Sequence, residues 1–414
     1  MIYLDYNATS PLLPSVKAAM DALRTAPMNA ASIHSAGRAA KKHIEDARAV
    51  IAGALSAFPN EVLFVGSGSE ANNMVLRGFA HERTLLVSSV EHASIAKTAS
   101  LLGGATIPVD SNGVVKLDVL EQMLAELGSH ALVSVMLANN ETGVIQPIAE
   151  IARIARKHGA LVHCDAVQAL GKIPVDWGML GVDMLTICAH KAGGPVGAGA
   201  LLIRSDLPIR PLIAGGGQEL GRRAGTENVP AIVGFAQMVK EVAHCPDAAK
   251  WREWREWLAV ELCAAAPDAV VMGANSASPT GEATRLSERS ELSRSGEGMA
   301  THSSPSLTVP SPNPLPRGEG FSPRLPQTLT ITMPSVKSET QMMNFDLAGF
   351  AVSAGSACSS GRVTASSVLL AMGVAPEIAE TAIRISWGWG TTRAEIEAFA
   401  AAWKQVYGRL APVK

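Results

Sequence analysis

The chain has 414 residues, 47% of them hydrophobic, and a formal net charge of -2. That is long enough for two domains and a sizeable core, and too nearly neutral to suggest nucleic acid or an acidic membrane surface as a main partner. Five cysteines, Cys164, Cys188, Cys245, Cys263 and Cys358, form no CxxC spacing. They point to a reducing cytoplasm and away from a disulfide framework or a metal site. No apolar run reaches membrane-spanning length, and Met1 leads directly into the strand-like IYLDYNATS with no room for a signal peptide.

From about residue 14 to 243, short apolar runs alternate with amphipathic stretches. VLFV (62–65), TLLVSS (84–89), ALVSVML (131–137), ALVHCD (160–165) and MLTIC (184–188) read as strands. Residues 117–127 and 148–158 read as helices. This order implies an α/β domain with a mostly parallel sheet, in which ligands collect at the carboxyl ends of the strands.

The polar residues of interest all follow those strand ends. GSGSEANN (66–73) opens a helix with glycines, so backbone N–H groups are free for a phosphate; a plain turn with an N-cap at Ser69 reads equally well. It lacks the Gly-Lys-Ser/Thr ending of a nucleotide loop. Glu91-His92 and NNETG (139–143) come next, each open to a structural reading. In HCDAVQ (163–168), Asp165 ends an apolar strand, where an acid can keep a pyridinium nitrogen protonated, and Gln168 lies one turn on.

Residues 182–199, VDMLTICAHKAGGPVGAG, deliver His190 and Lys191 into a turn with almost no side-chain bulk. A lysine at the end of an apolar strand is poorly solvated, which lowers its pKa and suits Schiff-base chemistry, with pyridoxal phosphate among others. A surface lysine in a Gly-rich turn is the competing reading, and Asp165 upstream tips the balance.

Beyond residue 244 the composition changes. Trp251, Trp254 and Trp257 recur every three residues and read as the packed face of a helix. Residues 276–326 are rich in Ser, Pro, Gly, Glu and Arg, and separate the strand-like AVVMG (269–273) and TLTITMP (328–334). Such a segment buries too little apolar area to offset its ordering entropy and is expected to be a disordered insertion. Small residues around Cys358 in VSAGSACSSGR (352–362) suggest an exposed loop able to carry a thiol. TTRAEIEAFAAAWKQVYGRL near the end reads as a final helix.

In order, DYNATSP (5–11), GSGSEANN, EHASI (91–95), NNETG, HCDAVQ, AHKAGGPVGAG (189–199), RAGTEN (223–228), AGSACSSG (354–361) and AIRIS (382–386) make the chain similar to the NifS/IscS-type cysteine desulfurases. These are pyridoxal-phosphate enzymes of the aminotransferase class V family. The resemblance implies fold type I, with a large cofactor-binding domain at 14–250, a smaller α+β domain from 1–13 and 251–414, and 276–326 as an insertion in the latter. It implies that Lys191 carries the cofactor as a Schiff base, Asp165 pairs with the ring nitrogen, Gln168 with the phenolic oxygen, and His92 stacks on the ring. Asn140 would lie beside cofactor and substrate. Gly68 and Ser69 at the helix start, with His190, would hold the phosphate, and Thr226 would complete that site from the second subunit of a homodimer. Arg384 would clamp the substrate carboxylate, and Cys358 would be the sulfur-accepting nucleophile, separating a desulfurase from relatives that merely share the cofactor.

The chain departs from the family's usual pattern at two positions: Ser69 stands where threonine is usual, and Cys188 replaces a serine near the phosphate site. The implied activity converts L-cysteine to L-alanine and passes sulfur to an acceptor protein, such as an iron–sulfur scaffold. A selenocysteine lyase or another class V aminotransferase is the same-cofactor alternative. A non-catalytic interaction protein on the same fold is the alternative of a different class.

Overall fold

The computed structural model describes residues 1–274, 323–355 and 365–411. Its largest element is a seven-stranded sheet built from β2 (Val62–Val65), β3 (Thr84–Ser88), β4 (Ala105–Ile107), β5 (Ala131–Met136), β6 (Leu161–Asp165), β7 (Met184–Cys188) and β8 (Gly199–Ile203), in the order β2-β8-β7-β6-β5-β3-β4. Neighbours from β7 to β4 run parallel, while β8 runs antiparallel to both β7 and β2. The carboxyl ends of β2, β3, β5, β6 and β7 therefore open on one edge.

These strands are apolar on both faces because helices cover both. Successive strand side chains alternate between faces. Val133 and Val135 of β5 join the larger core with Val162 and Cys164 of β6, whereas Leu132 and Leu161 join the core beneath helices Gly68–Phe79 and Ala93–Leu101. Helix Leu117–Leu127 has the bounds its periodicity predicts. Helix Ile148–Lys157 buries Ile148, Ile151, Ile154 and Ala155, the i, i+3, i+6, i+7 stripe expected of a helix packed on a sheet.

A second core lies apart from the first. It gathers Trp251 and Trp254 of helix Ala248–Ala265, Leu329 and Ile331 of β9 (Thr328–Thr332), Phe345, Trp387, and Phe399 and Trp403 of the final helix Arg393–Leu410. Trp257 is only partly buried, with the Arg393 guanidinium 4.0 Å above its ring. β9 pairs antiparallel with β12 (Ala382–Ser386), which pairs antiparallel with β11 (Ser353–Ala354). Residues 269–273 do not form a full strand; Val271 makes a single bridge to Ile331.

The amino terminus links the two regions. β1 (Ile2–Tyr3) lies parallel to β10 (Phe350–Ala351), Asp5 bridges Ser386, and the chain then enters the open edge of the large sheet at Asn7. Of the low-complexity stretch, residues 276–322 lie outside the described residues. At its end, Arg324 bridges Val144 and Leu325 is fully buried against the turn at Gly143. Among the described residues no helix is long and apolar enough to cross a membrane.

Candidate active site

Five strand ends bring the expected residues to one edge. After β6, Asp165 is 5% exposed; its Oδ1 accepts from the Val167 amide at 2.9 Å and its Oδ2 from Asn72 Nδ2 at 2.8 Å. Burial raises its pKa against the pull of those two donors. A cation brought against this carboxyl would restore what burial withholds, which is the environment a pyridinium nitrogen suits.

His92 follows β3 and caps helix Ala93–Leu101, its Nδ1 accepting from the Ser94 amide at 3.2 Å. That amide fixes its tautomer, since Nδ1 must be the acceptor, and a side-chain relay agrees with it. Asn72 Nδ2 donates both to Asp165 and, at 2.9 Å, to Ser94 Oγ, and with Nδ1 an acceptor the Ser94 hydroxyl donates to it at 2.8 Å. With Nδ1 an acceptor, the ring proton of neutral His92 sits on Nε2. Burial lowers the His92 pKa, opposed by the charge of Asp165.

Lys191 follows β7, and its Nζ donates to the carbonyls of Asn7 and Ala8, each at 2.8 Å. Beside it, burial holds His190 down to about 4, with the charges of Lys191 and Lys172 adding to the effect. His190 is therefore neutral at pH 7, a donor or acceptor but not a charge. Cys188 is 1% exposed and burial pushes its thiol up to about 12, so it too is uncharged there.

Asn7, 1% exposed, is the hub. Its carbonyl accepts from Lys191 and from Gln168 Nε2 at 2.9 Å, and its side chain donates to the Asn140 carbonyl at 3.1 Å and to Thr328 Oγ1 at 2.9 Å. Arg384 NH1 donates to the same Asn140 carbonyl at 3.0 Å, and its NH2 pairs with Asp5 Oδ1 at 2.6 Å. Part of the Arg384 fork is thus occupied within the chain, while its buried Nε has no hydrogen-bond partner among the described residues. An acidic group entering here would find an unsatisfied donor.

The rim is more open. Helix Gly68–Phe79 is capped by Ser67, whose side chain accepts from the Glu70 amide, so the expected cap at Ser69 is displaced by two residues and Ser69 is exposed on the first turn. Gly68 leaves the approach clear: a Cβ there would lie 2.8 Å from Val167 and close to Thr186 and Cys188. Thr226 is exposed on the loop before helix Val229–Val242, and no hydrogen bond ties it to the cluster among the described residues.

Cys358 lies outside the described residues. Both flanks of its segment meet the site: Ser353 is in register with Arg384, and Ser366 Oγ donates to buried Glu141 Oε2 at 2.5 Å. Burial pushes Glu141 up to about 7, and it pushes Glu91, which follows β3, up to about 8.

The structure thus brings together His92, Asn140, Asp165, Gln168, Cys188, His190, Lys191 and Arg384, with Gly68 and Ser69 at the rim. Asn7, Asp5, Asn72 and Lys172 are members that the motif reading did not single out. The donor set suits pyridoxal phosphate: an amine for its aldehyde, a buried acid for its ring nitrogen, and helix amides with a hydroxyl for its phosphate.

Fold and site are those of a fold type I, pyridoxal-phosphate-dependent enzyme, and the family model of aminotransferase class V matches residues 2–265; the chain belongs to that family. Within it, the chain is similar to cysteine desulfurases. It is 33% identical to an IscS-like cysteine desulfurase of Mycobacterium tuberculosis, over 96% of this chain and 94% of that one. It is 36% identical to the cysteine desulfurase IscS of Dictyoglomus turgidum, over 95% and 91%. The solved structure of a NifS-like protein from Rickettsia africae superposes with a TM-score of 0.80 at 33% identity, covering 99% of both chains. A structure of SspA in complex with cysteine superposes with a TM-score of 0.71 at 26% identity, covering 93% and 98%.

Proposed function

We propose that the chain is a cytoplasmic, homodimeric cysteine desulfurase that takes sulfur from L-cysteine, leaves L-alanine, and hands the sulfur to an acceptor protein for iron–sulfur cluster or other thio-cofactor synthesis. The observation that carries the reading is the junction at Asn7, where Lys191, Gln168 and, through the Asn140 carbonyl, Arg384 are tied to one residue beside buried Asp165.

Pyridoxal phosphate, when bound, supplies a ring that absorbs negative charge from a substrate carbon. Lys191 would hold it, Asp165 would keep a proton on its ring nitrogen, and Gln168 would donate to its phenolic oxygen. Gly68 and Ser69, with neutral His190 and Thr226 of the second subunit, would take the phosphate, with the Cys188 thiol alongside as a weak donor. Arg384 would bind the cysteine carboxylate, its fork suited to that planar group. Lys191 Nζ then moves the proton at the substrate Cα, and Asn140 lies alongside.

His92, with its proton on Nε2, would exchange a proton with a thiol. Cys358, as thiolate, would attack the substrate sulfur, forming an S–S bond as the carbon–sulfur bond breaks. The sum balances: L-cysteine and the Cys358 thiol become L-alanine and a Cys358 persulfide.

The test is the visible absorbance of the purified protein with pyridoxal phosphate, before and after L-cysteine. A Lys191-linked chromophore that changes with L-cysteine, followed by alanine, is expected. A folded protein with no such band would overturn the reading.

A further inference from the structure

A second lysine lies in the cluster, and the reaction as drawn does not use it. Lys172 is 4% exposed. Its Nζ donates to Gln168 Oε1 at 2.6 Å and to Asn7 Oδ1 at 3.2 Å, and no carboxylate of a described residue pairs with it. An amine buried without a counter-charge is costly, so its presence calls for a local reason.

The reason lies in the two ends of the Gln168 amide. Lys172 offers only N–H groups to it, so the oxygen end must face Lys172. The other end, Nε2, donates to the Asn7 carbonyl at 2.9 Å, and that same oxygen accepts Lys191 Nζ at 2.8 Å. The N–H end of Gln168 therefore stands on the Lys191 side. Turning the amide over would set its nitrogen against Lys172 and its oxygen against the Asn7 carbonyl, exchanging two hydrogen bonds for two repulsions.

We propose that Lys172 is a positioning residue: it locks the Gln168 carboxamide with its N–H end toward Lys191, so that the phenolic oxygen of a Lys191-bound pyridoxal phosphate meets a donor and not an acceptor. The inference rests on the assignment of Gln168 to that oxygen. Burial first, and then the charge of Lys191, hold Lys172 well below the usual lysine range. The lock is set by the ammonium form, which has only N–H groups for the two oxygens it meets, whereas a neutral amine would also carry a lone pair that a turned amide could donate to.

The test is the pH midpoint of the visible absorbance of the pyridoxal-phosphate-loaded protein, in a double-mutant cycle of Lys172→Met and Gln168→Leu. A donor to the phenolic oxygen favours its anion, so losing that donor raises the midpoint. Each single variant is expected to raise it by about one pH unit, the scale of one buried hydrogen bond. The double variant should rise no further than either alone. Lys172→Leu, which likewise has no N–H group to offer, serves in the same cycle if Lys172→Met does not fold. A wild-type midpoint in both Lys172 variants beside a raised one in Gln168→Leu overturns the proposal alone. A full further rise with Gln168 already gone overturns it too, since Lys172 would then act as a charge. A wild-type midpoint in Gln168→Leu overturns the assignment of Gln168 and the proposal with it.

Discussion

Around Asn7, the side chains of Lys191, Gln168, Lys172 and Arg384 are held by hydrogen bonds to Asn7, its neighbours or one another, and Asp165 is clamped from both oxygens. At the open side of the same site Ser69 is exposed, and the fixed groups are chiefly backbone amides at a helix start. The two sides are built for different tasks. Where charge and proton position decide the chemistry, the chain fixes each atom in a dry setting before any ligand arrives. Where a phosphate is only to be gripped, an open helix end suffices, with one contact supplied on our reading by the partner subunit.

The sharpest way to break this contrast is at the reacting amine. Lys191→Ala should lower alanine production on the order of 10⁴-fold or more, since both cofactor attachment and proton transfer are lost. Borohydride reduction and peptide mapping of the wild type should place the cofactor on Lys191. Finding it on Lys172 would reverse the roles of the two lysines. Next in size is Arg384→Lys, which keeps a charge and loses the fork. A fall in kcat/KM of about 10- to 100-fold, mostly in KM, is expected, and an unchanged KM would remove Arg384 from the carboxylate site.

The dryness of the inner side has a pH signature. Burial raises Glu91 from 4.5 to about 8. In the unfolded chain it loses its proton near its ordinary pKa, while the folded protein keeps that proton until about pH 8. Between those values the native state binds more protons, so this group makes stability fall as pH rises, by up to about 1.4 kcal/mol per unit. Glu91→Gln does not titrate. Its apoprotein should therefore gain on wild type as pH climbs from about 5 to 8, read as denaturant midpoints, and a difference constant with pH would mean that Glu91 is ionised throughout. The smallest effect belongs to the rim: Ser69→Ala should weaken cofactor binding about tenfold, the loss of one hydrogen bond to a charged group. The absorbance midpoint should stay put; a shifted midpoint would erase the division between the two sides.

Asp165, Gln168, Lys191 and His92 were legible because each follows a short apolar run, and a parallel sheet gathers such ends on one edge. Asn7 was not, since its partners lie between 133 and 379 residues away and only the pairing of the amino terminus with the second sheet brings them together. Lys172 left a fainter signal: it stands four residues after Gln168 in an apolar stretch, where i, i+4 neighbours meet. Ser67 and Ser69 compete for one helix start, and the phase of the first turn, which decides between them, is not written in composition.

The central claim is that this cluster moves sulfur from L-cysteine onto the chain. Its most direct test is a single turnover of cofactor-loaded protein with L-cysteine and no reductant, with alanine and protein-bound sulfur counted together. The account predicts one alanine for each extra sulfur atom, located by mass spectrometry on Cys358, and neither product above background in Cys358→Ser. Alanine formed at the wild-type rate by that variant, with sulfur released free, would contradict it.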